Sequence, residues 1–159
     1  MRKRLIDTTR VQQPPERGWL ALEKLATVEV TSEDAAHPIE SALVLGEGSS
    51  GQGWRAGQPG EQTIRLIFDQ PLRIERIRLK IVEPDVERTQ EFVLRWSPDA
   101  GRSFKEIVRQ QWNFNPGGST REVEEYGVDL NGVSVLELVI VPDKSGRPVF
   151  ASVAEFQIG

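Results

Sequence analysis

The chain contains no cysteine and a single histidine, His37, among 159 residues. Disulfides, thiolate metal sites and cysteine nucleophiles are therefore excluded, and a two-histidine zinc site has no ligands to draw on. Methionine and tyrosine also occur once each. No apolar run is long enough to cross a membrane. The net charge of −4 lacks the strongly basic footprint of a nucleic-acid binder, so direct nucleic-acid binding is not expected. The start, Met1-Arg2-Lys3-Arg4-Leu5-Ile6-Asp7, is basic like a secretion signal but has no apolar segment behind it, so a cytoplasmic location without membrane insertion is expected. Neither a Gly-x-Ser-x-Gly elbow nor a phosphate-binding loop is present. Carboxylates such as Glu122, Glu124 and Glu125 are numerous, but none is isolated as a catalytic pair.

What is present alternates with a period of two. Hydrophobic residues make up 38% and charged residues 28%, in the range of a folded domain. Residues 1–18 read as a polar leader, and residues 19–159 as one domain. Ala26, Val28 and Val30 alternate with polar neighbours, as do Ile64, Leu66 and Phe68, then Ile77, Leu79 and Ile81, then Phe92, Leu94 and Trp96. Leu136, Leu138 and Ile140 mark a later strand, and Phe150, Ala154, Phe156 and Ile158 the last. Turn signals separate these runs, among them Gln70-Pro71, Asn115-Pro116-Gly117-Gly118 and Asn131-Gly132. Only Trp19–Leu25 has helical spacing. About eight one-sided strands predict an all-β sandwich or jelly roll.

Chemistry is expected in the loops. The segment from Ser32 to Thr63 exceeds the usual length of a structureless connection. It carries His37 and the pair Trp54-Arg55, of which the tryptophan reads either as a core plug or as a stacking platform. Arg55 would then point away, towards solvent or ligand, as a donor to carboxylate or phosphate. In Arg109-Gln110-Gln111-Trp112-Asn113-Phe114-Asn115 the alternation places Gln110, Trp112 and Phe114 on one face and Gln111 and Asn113 on the other. Amides beside aromatics suit sugars, peptides or bases, although an ordinary inward Trp-Phe pair reads equally well. Arg88-Thr89-Gln90-Glu91 and Asp143-Lys144-Ser145-Gly146-Arg147 are expected in loops before strands, and either could rim a site. Arg76, Arg78 and Lys80 form a basic outer stripe, read either as a salt-bridged face or as a surface for an anionic partner. Glu155 reads as a buried carboxylate held by backbone amides. The candidate ligand-binding residues are therefore His37, Arg55, Arg88, Trp112, Asn113, Asn115 and Arg147, with no catalytic or metal-binding residue expected.

Several stretches resemble the discoidin (coagulation factor 5/8 type C), or galactose-binding-like, domains. They are Ala26-Thr27-Val28-Glu29-Val30-Thr31-Ser32-Glu33, the arrival at Gly53-Trp54, the run Ile64–Phe68, Phe92-Val93-Leu94-Arg95-Trp96-Ser97 before Asp99 and Gly101, and the closing Ala154-Glu155-Phe156-Gln157-Ile158-Gly159. The resemblance implies an eight-stranded, galactose-binding-like jelly roll without catalytic activity, binding a carbohydrate or similar polar ligand through loops at one end. Calcium-binding relatives carry an Asp-Gly-Asp or Asp-Gly-Asn step before the tryptophan. Here Gly46-Glu47-Gly48-Ser49-Ser50-Gly51-Gln52-Gly53 stands in its place, so no cofactor is expected and calcium is disfavoured, although Glu155 matches a carboxylate that often supports that site. The stretch Trp54-Arg55-Ala56, Gly60-Glu61 and Thr63-Ile64 also resembles the N-terminal domain of a eukaryotic single-strand-break repair scaffold. That likeness implies a protein partner bound through a sheet edge.

Overall fold

The computed structural model describes residues 18–44 and 53–159. The leader up to Arg17 and the segment Gly46–Gln52, where the acidic calcium step is replaced, lie outside them. Eight strands follow in chain order: β1 (Ala26–Val30), β2 (Trp54–Arg55), β3 (Gln62–Val82), β4 (Arg88–Ser97), β5 (Lys105–Phe114), β6 (Arg121–Val141), β7 (Ser152–Val153) and β8 (Glu155–Ile158). One-turn helices α1 (Leu22–Leu25) and α2 (Glu40–Leu43) precede β1 and β2. The first lies in the stretch with helical spacing; the second carried no comparable signal.

The architecture turns on two long strands. β3 and β6 pair antiparallel along most of their length, but the register shifts between Ile67 and Arg76. Before the shift, Gln62–Ile67 pairs with Val135–Ile140, and this half takes β1 on one side and β4 then β5 on the other. After it, Arg76–Val82 pairs with Arg121–Gly127 and takes β8 as its second neighbour. A five-stranded and a three-stranded sheet thus share one pair of bent strands. The inward set runs Ile64, Leu66, Phe68 and Ile74, then changes parity to Ile77, Leu79 and Ile81, and all seven are buried in one apolar cluster. A bulge re-phases a strand in this way, because side chains otherwise keep strict alternation.

Gln70-Pro71 and Asn131-Gly132, expected as turns between strands, are instead the opposed irregular stretches of this continuous ladder. Proline has no N–H to donate to a ladder. Gly132 supplies the left-handed conformation, φ +68°, on the facing strand. The expected final strand is likewise divided, with Phe150 ahead of the two-residue β7, which pairs with β2, and β8 joining β3.

Trp54 is fully buried in the core, and its Nε1 donates to the Ser32 carbonyl at 3.0 Å. The structure thus makes it the plug rather than an exposed platform. The preceding Gly53 has φ +59°, and a Cβ there would lie 2.2 Å from the Val153 carbonyl oxygen. Only glycine allows the chain to enter β2 so close to β7. The basic outer stripe is a paired face. Arg78 lies 3.6 Å from Glu125 and 3.8 Å from Glu155, Lys80 lies 3.5 Å from Glu155, and Arg76 stacks on Trp19 at 3.9 Å. Glu155 is accordingly not a buried acceptor of backbone amides. It stands on the outer face of the small sheet because Arg78 and Lys80 on the neighbouring strand offer it opposite charge.

Candidate functional site

At one end of the sandwich β4 begins, β5 ends, and the connection from β6 to β7 crosses between them. Arg88 pairs in register with Phe114, and Thr89 with Asn113, so Arg88–Glu91, expected in a loop, is the start of β4, held there by its pairing with β5. Alternation sends Arg88 and Phe114 inward and leaves Asn113 and Gln111 exposed. The 142–147 segment is tied onto this corner by the Lys144 amide, which donates to the Thr89 carbonyl at 2.8 Å. The result is an open cleft of about 880 Å³, lined chiefly by Arg88, Gln111, Asn113, Asn115, Lys144 and Arg147, with Glu87, Thr89, Phe114, Asp143 and Ser145 completing it. Its size falls in the range of small-molecule sites.

Arg88 is the floor. Its side chain is fully buried. Nε donates to Glu83 Oε1 at 3.0 Å, and Nη1 donates to Gln90 Oε1 at 2.9 Å and to the Pro142 carbonyl at 2.8 Å. The guanidinium lies over the Phe114 ring, 4.9 Å from its centroid. Nη2 is buried without a partner among the described residues. Burial pulls the arginine pKa below its usual value, against the opposing pull of Glu83. One side chain thus joins the end of β3, the start of β4 and the segment that carries the rim.

The rim is polar and charged. Arg147 Nε donates to Asp143 Oδ2 at 2.6 Å, and Nη2 donates to the Glu87 carbonyl. Burial raises the Asp143 pKa, but hydrogen bonds from Arg147 and Ser145 outweigh it and leave the carboxyl at about 2. Lys144 Nζ donates to Glu91 Oε2 and to Gln111 Oε1, both at 3.2 Å. The Lys144 and Arg147 side chains remain 44% and 52% exposed, enough to meet a ligand from solvent. Asn113 accepts from Thr89 Oγ1 at 2.9 Å, and its amide N–H groups have no partner among the described residues. Asn115 Oδ1 accepts from the Gly117 amide at 2.9 Å and shapes the turn after β5.

Four of the seven residues singled out from the sequence therefore meet here: Arg88, Asn113, Asn115 and Arg147. His37 and Arg55 line a second cavity of about 260 Å³ with Glu83, Asp85 and Ser152. Arg55 stacks on Phe150 at 5.3 Å. His37 Nδ1 lies 2.7 Å from Asp34 Oδ2, and this hydrogen bond lowers the Asp34 pKa. Ser152 Oγ donates to the Val82 carbonyl at 3.5 Å rather than to His37, so the His37–Asp34 pair is not extended to a serine. Trp112 turns inward. It packs on the core, and its Nε1 donates to Ser119 Oγ at 3.1 Å. Lys144 and Gln111 stand in the stretches picked out from the sequence but not among the seven candidates. Gln111 shares the exposed face of β5 with Asn113, which the period-two pattern already indicated, whereas nothing local announced the docking of Lys144 on β4. Among the described residues no three His, Asp or Glu side chains gather as a metal site, and Glu155 is engaged by Arg78 and Lys80.

No protein-family model matches the sequence, and no curated protein does. Solved structures match by shape. The module CBM32-3 of a family 31 glycoside hydrolase from Clostridium perfringens superposes with a TM-score of 0.63 at 17% identity, covering 92% of this chain and 97% of that one. A pectin-binding carbohydrate-binding module gives 0.61 at 16% identity, covering 85% and 90%. Reduced XRCC1 bound to the DNA pol β catalytic domain gives 0.57 at 11% identity, covering 85% and 95%. These likenesses show the fold, and the chain is an all-β, galactose-binding-like jelly-roll sandwich.

Proposed function

We propose that the chain is a non-catalytic carbohydrate-binding module whose site is the cleft between the β4–β5 end and the 142–147 segment. The observation that carries this reading is the convergence of Arg88, Gln111, Asn113, Asn115, Lys144 and Arg147 around one open, ligand-sized cleft. Sugars present many hydroxyls, and a rim of amides and cations offers donors in matching number. The shared fold supports the reading, since its solved neighbours include modules described as binding pectin and as complexed with galactose. A glycan array followed by calorimetry tests it. Binding to a defined glycan is expected, with a loss of about tenfold or more on Asn113→Ala or Arg147→Ala, in line with one or two charge-assisted hydrogen bonds. A chain that binds no glycan, or binds one unaffected by either substitution, does not bind sugar at this cleft.

A second reading rests on β1. It is the edge strand of the large sheet, and its flank, Val28–Thr31 with Thr63 and Arg65, is an open groove of about 670 Å³. An unpaired edge can accept an added strand from a partner protein. The likeness to XRCC1 supports this reading to a smaller degree. A pull-down in which Val28→Pro abolishes recovery of a stoichiometric partner would favour it over the sugar.

A further inference from the structure

We infer that the cleft is built for an acidic sugar, a uronic acid unit whose carboxylate is met by Lys144 and Arg147. This inference rests on the carbohydrate reading above and narrows it. Neutral sugars are commonly held by laying an apolar ring face on an exposed aromatic surface, with hydrogen bonds around it. Among the described residues this cleft has no such surface. Phe114, the one aromatic residue that lines it, is 1% exposed and lies beneath the Arg88 guanidinium. The recognition energy must come from polar contacts.

The polar contacts on offer are cationic. Arg88, Lys144 and Arg147 line the cleft with the carboxylates of Glu87 and Asp143, while Glu83 and Glu91, paired with Arg88 and Lys144, do not line it. Asp143 is 5% exposed and committed to Arg147 and Ser145. Arg147 Nη1 and the Asn113 amide have no partner among the described residues, and the half-exposed Lys144 Nζ is shared between the Glu91 carboxylate and Gln111 Oε1, both at 3.2 Å. Below them lies the buried Arg88, whose Nη2 is also without a partner. Its charge adds to the field at the floor although Glu83 offsets part of it. A carboxylate offers two acceptor oxygens, one for the free Nη1 of Arg147 and one for the Lys144 ammonium. Glu87 is the exposed carboxylate on the rim, and it opposes such a ligand.

The experiment uses matched ligands in calorimetry: galacturonate and mannuronate oligomers, and the same oligomers with every carboxylate reduced to a hydroxymethyl group. Each uronate that binds should do so at least tenfold more tightly than its reduced partner. That preference should weaken as salt is raised from low to physiological ionic strength. The double substitution Lys144→Gln with Arg147→Gln should cut the preference below threefold in a chain that remains folded at the assay temperature, its melting temperature lowered by the lost Arg147–Asp143 pair. Glu87→Gln should strengthen uronate binding two- to fivefold. Equal or tighter binding of the reduced oligomers, or a preference that survives the double substitution, overturns the inference. If only neutral sugars bind, the inference falls and the carbohydrate reading stands. If nothing binds, charged or neutral, both fall.

Discussion

Glu122 shows how much a single buried side chain can report. It stands at the start of β6, 1% exposed, with Oε1 accepting from Gln90 Nε2 at 3.2 Å and Oε2 without a partner among the described residues. Burial, and then the nearby Glu124, push its pKa from 4.5 up to about 7, against smaller pulls from Gln90 and Arg88. The folded-state pKa lies above the unfolded one. The stability from this group is therefore complete below about pH 4.5 and is lost as pH rises through 7. Glu122→Gln keeps the shape and the acceptor but removes the charge. Its stability relative to the parent should rise by on the order of 2 kcal/mol between pH 5 and pH 8. Urea midpoints at the two pH values measure this. An equal difference at both would mean that Glu122 is not held neutral by its surroundings. The sequence showed Glu122 only as one of several carboxylates, because its burial depends on Gln90 and Arg88 from a strand more than thirty residues away.

The two long strands are the elements that shape the molecule, and their alternation was plain: Ile64-Leu66-Phe68, Ile77-Leu79-Ile81 and Leu136-Leu138-Ile140 all face the core. Their continuity was hidden. Pro71 and Gly132 carry turn chemistry, and local sequence does not distinguish a chain reversal from a bulge, which exists only opposite a partner strand. Gly132 has φ +68° and open space around its Cβ position, so strain alone decides its replacement. Gly132→Ala should cost about 1–2 kcal/mol, the penalty of a left-handed non-glycine residue. Gly127→Ala, in the same strand, with similar space and no positive φ, should be neutral or slightly stabilising. Comparing the two unfolding free energies tests whether the bend depends on that one conformation, and equal effects would show that it does not.

At the scale of the whole molecule, the site is a product of topology. The residues that meet in the cleft come from positions 87–89, 111–115 and 143–147, which the sheet order brings to one corner. Arg88, Asn113, Asn115 and Arg147 were legible as polar residues at strand ends. That they share a cleft, and that His37 and Arg55 belong to another, follows from which strands neighbour which. Trp112 drew attention as an aromatic among amides, yet period two already placed it on the face of Phe114, and that face is the core. The most direct measurement is a titration of the isotope-labelled chain with its array-selected oligosaccharide, followed by amide chemical shifts. The largest changes are expected at Thr89, Asn113, Asn115 and residues 144–147. Changes centred instead on His37 and Arg55, or along Ala26–Val30, with the cleft unmoved, would contradict the placement of the sugar site.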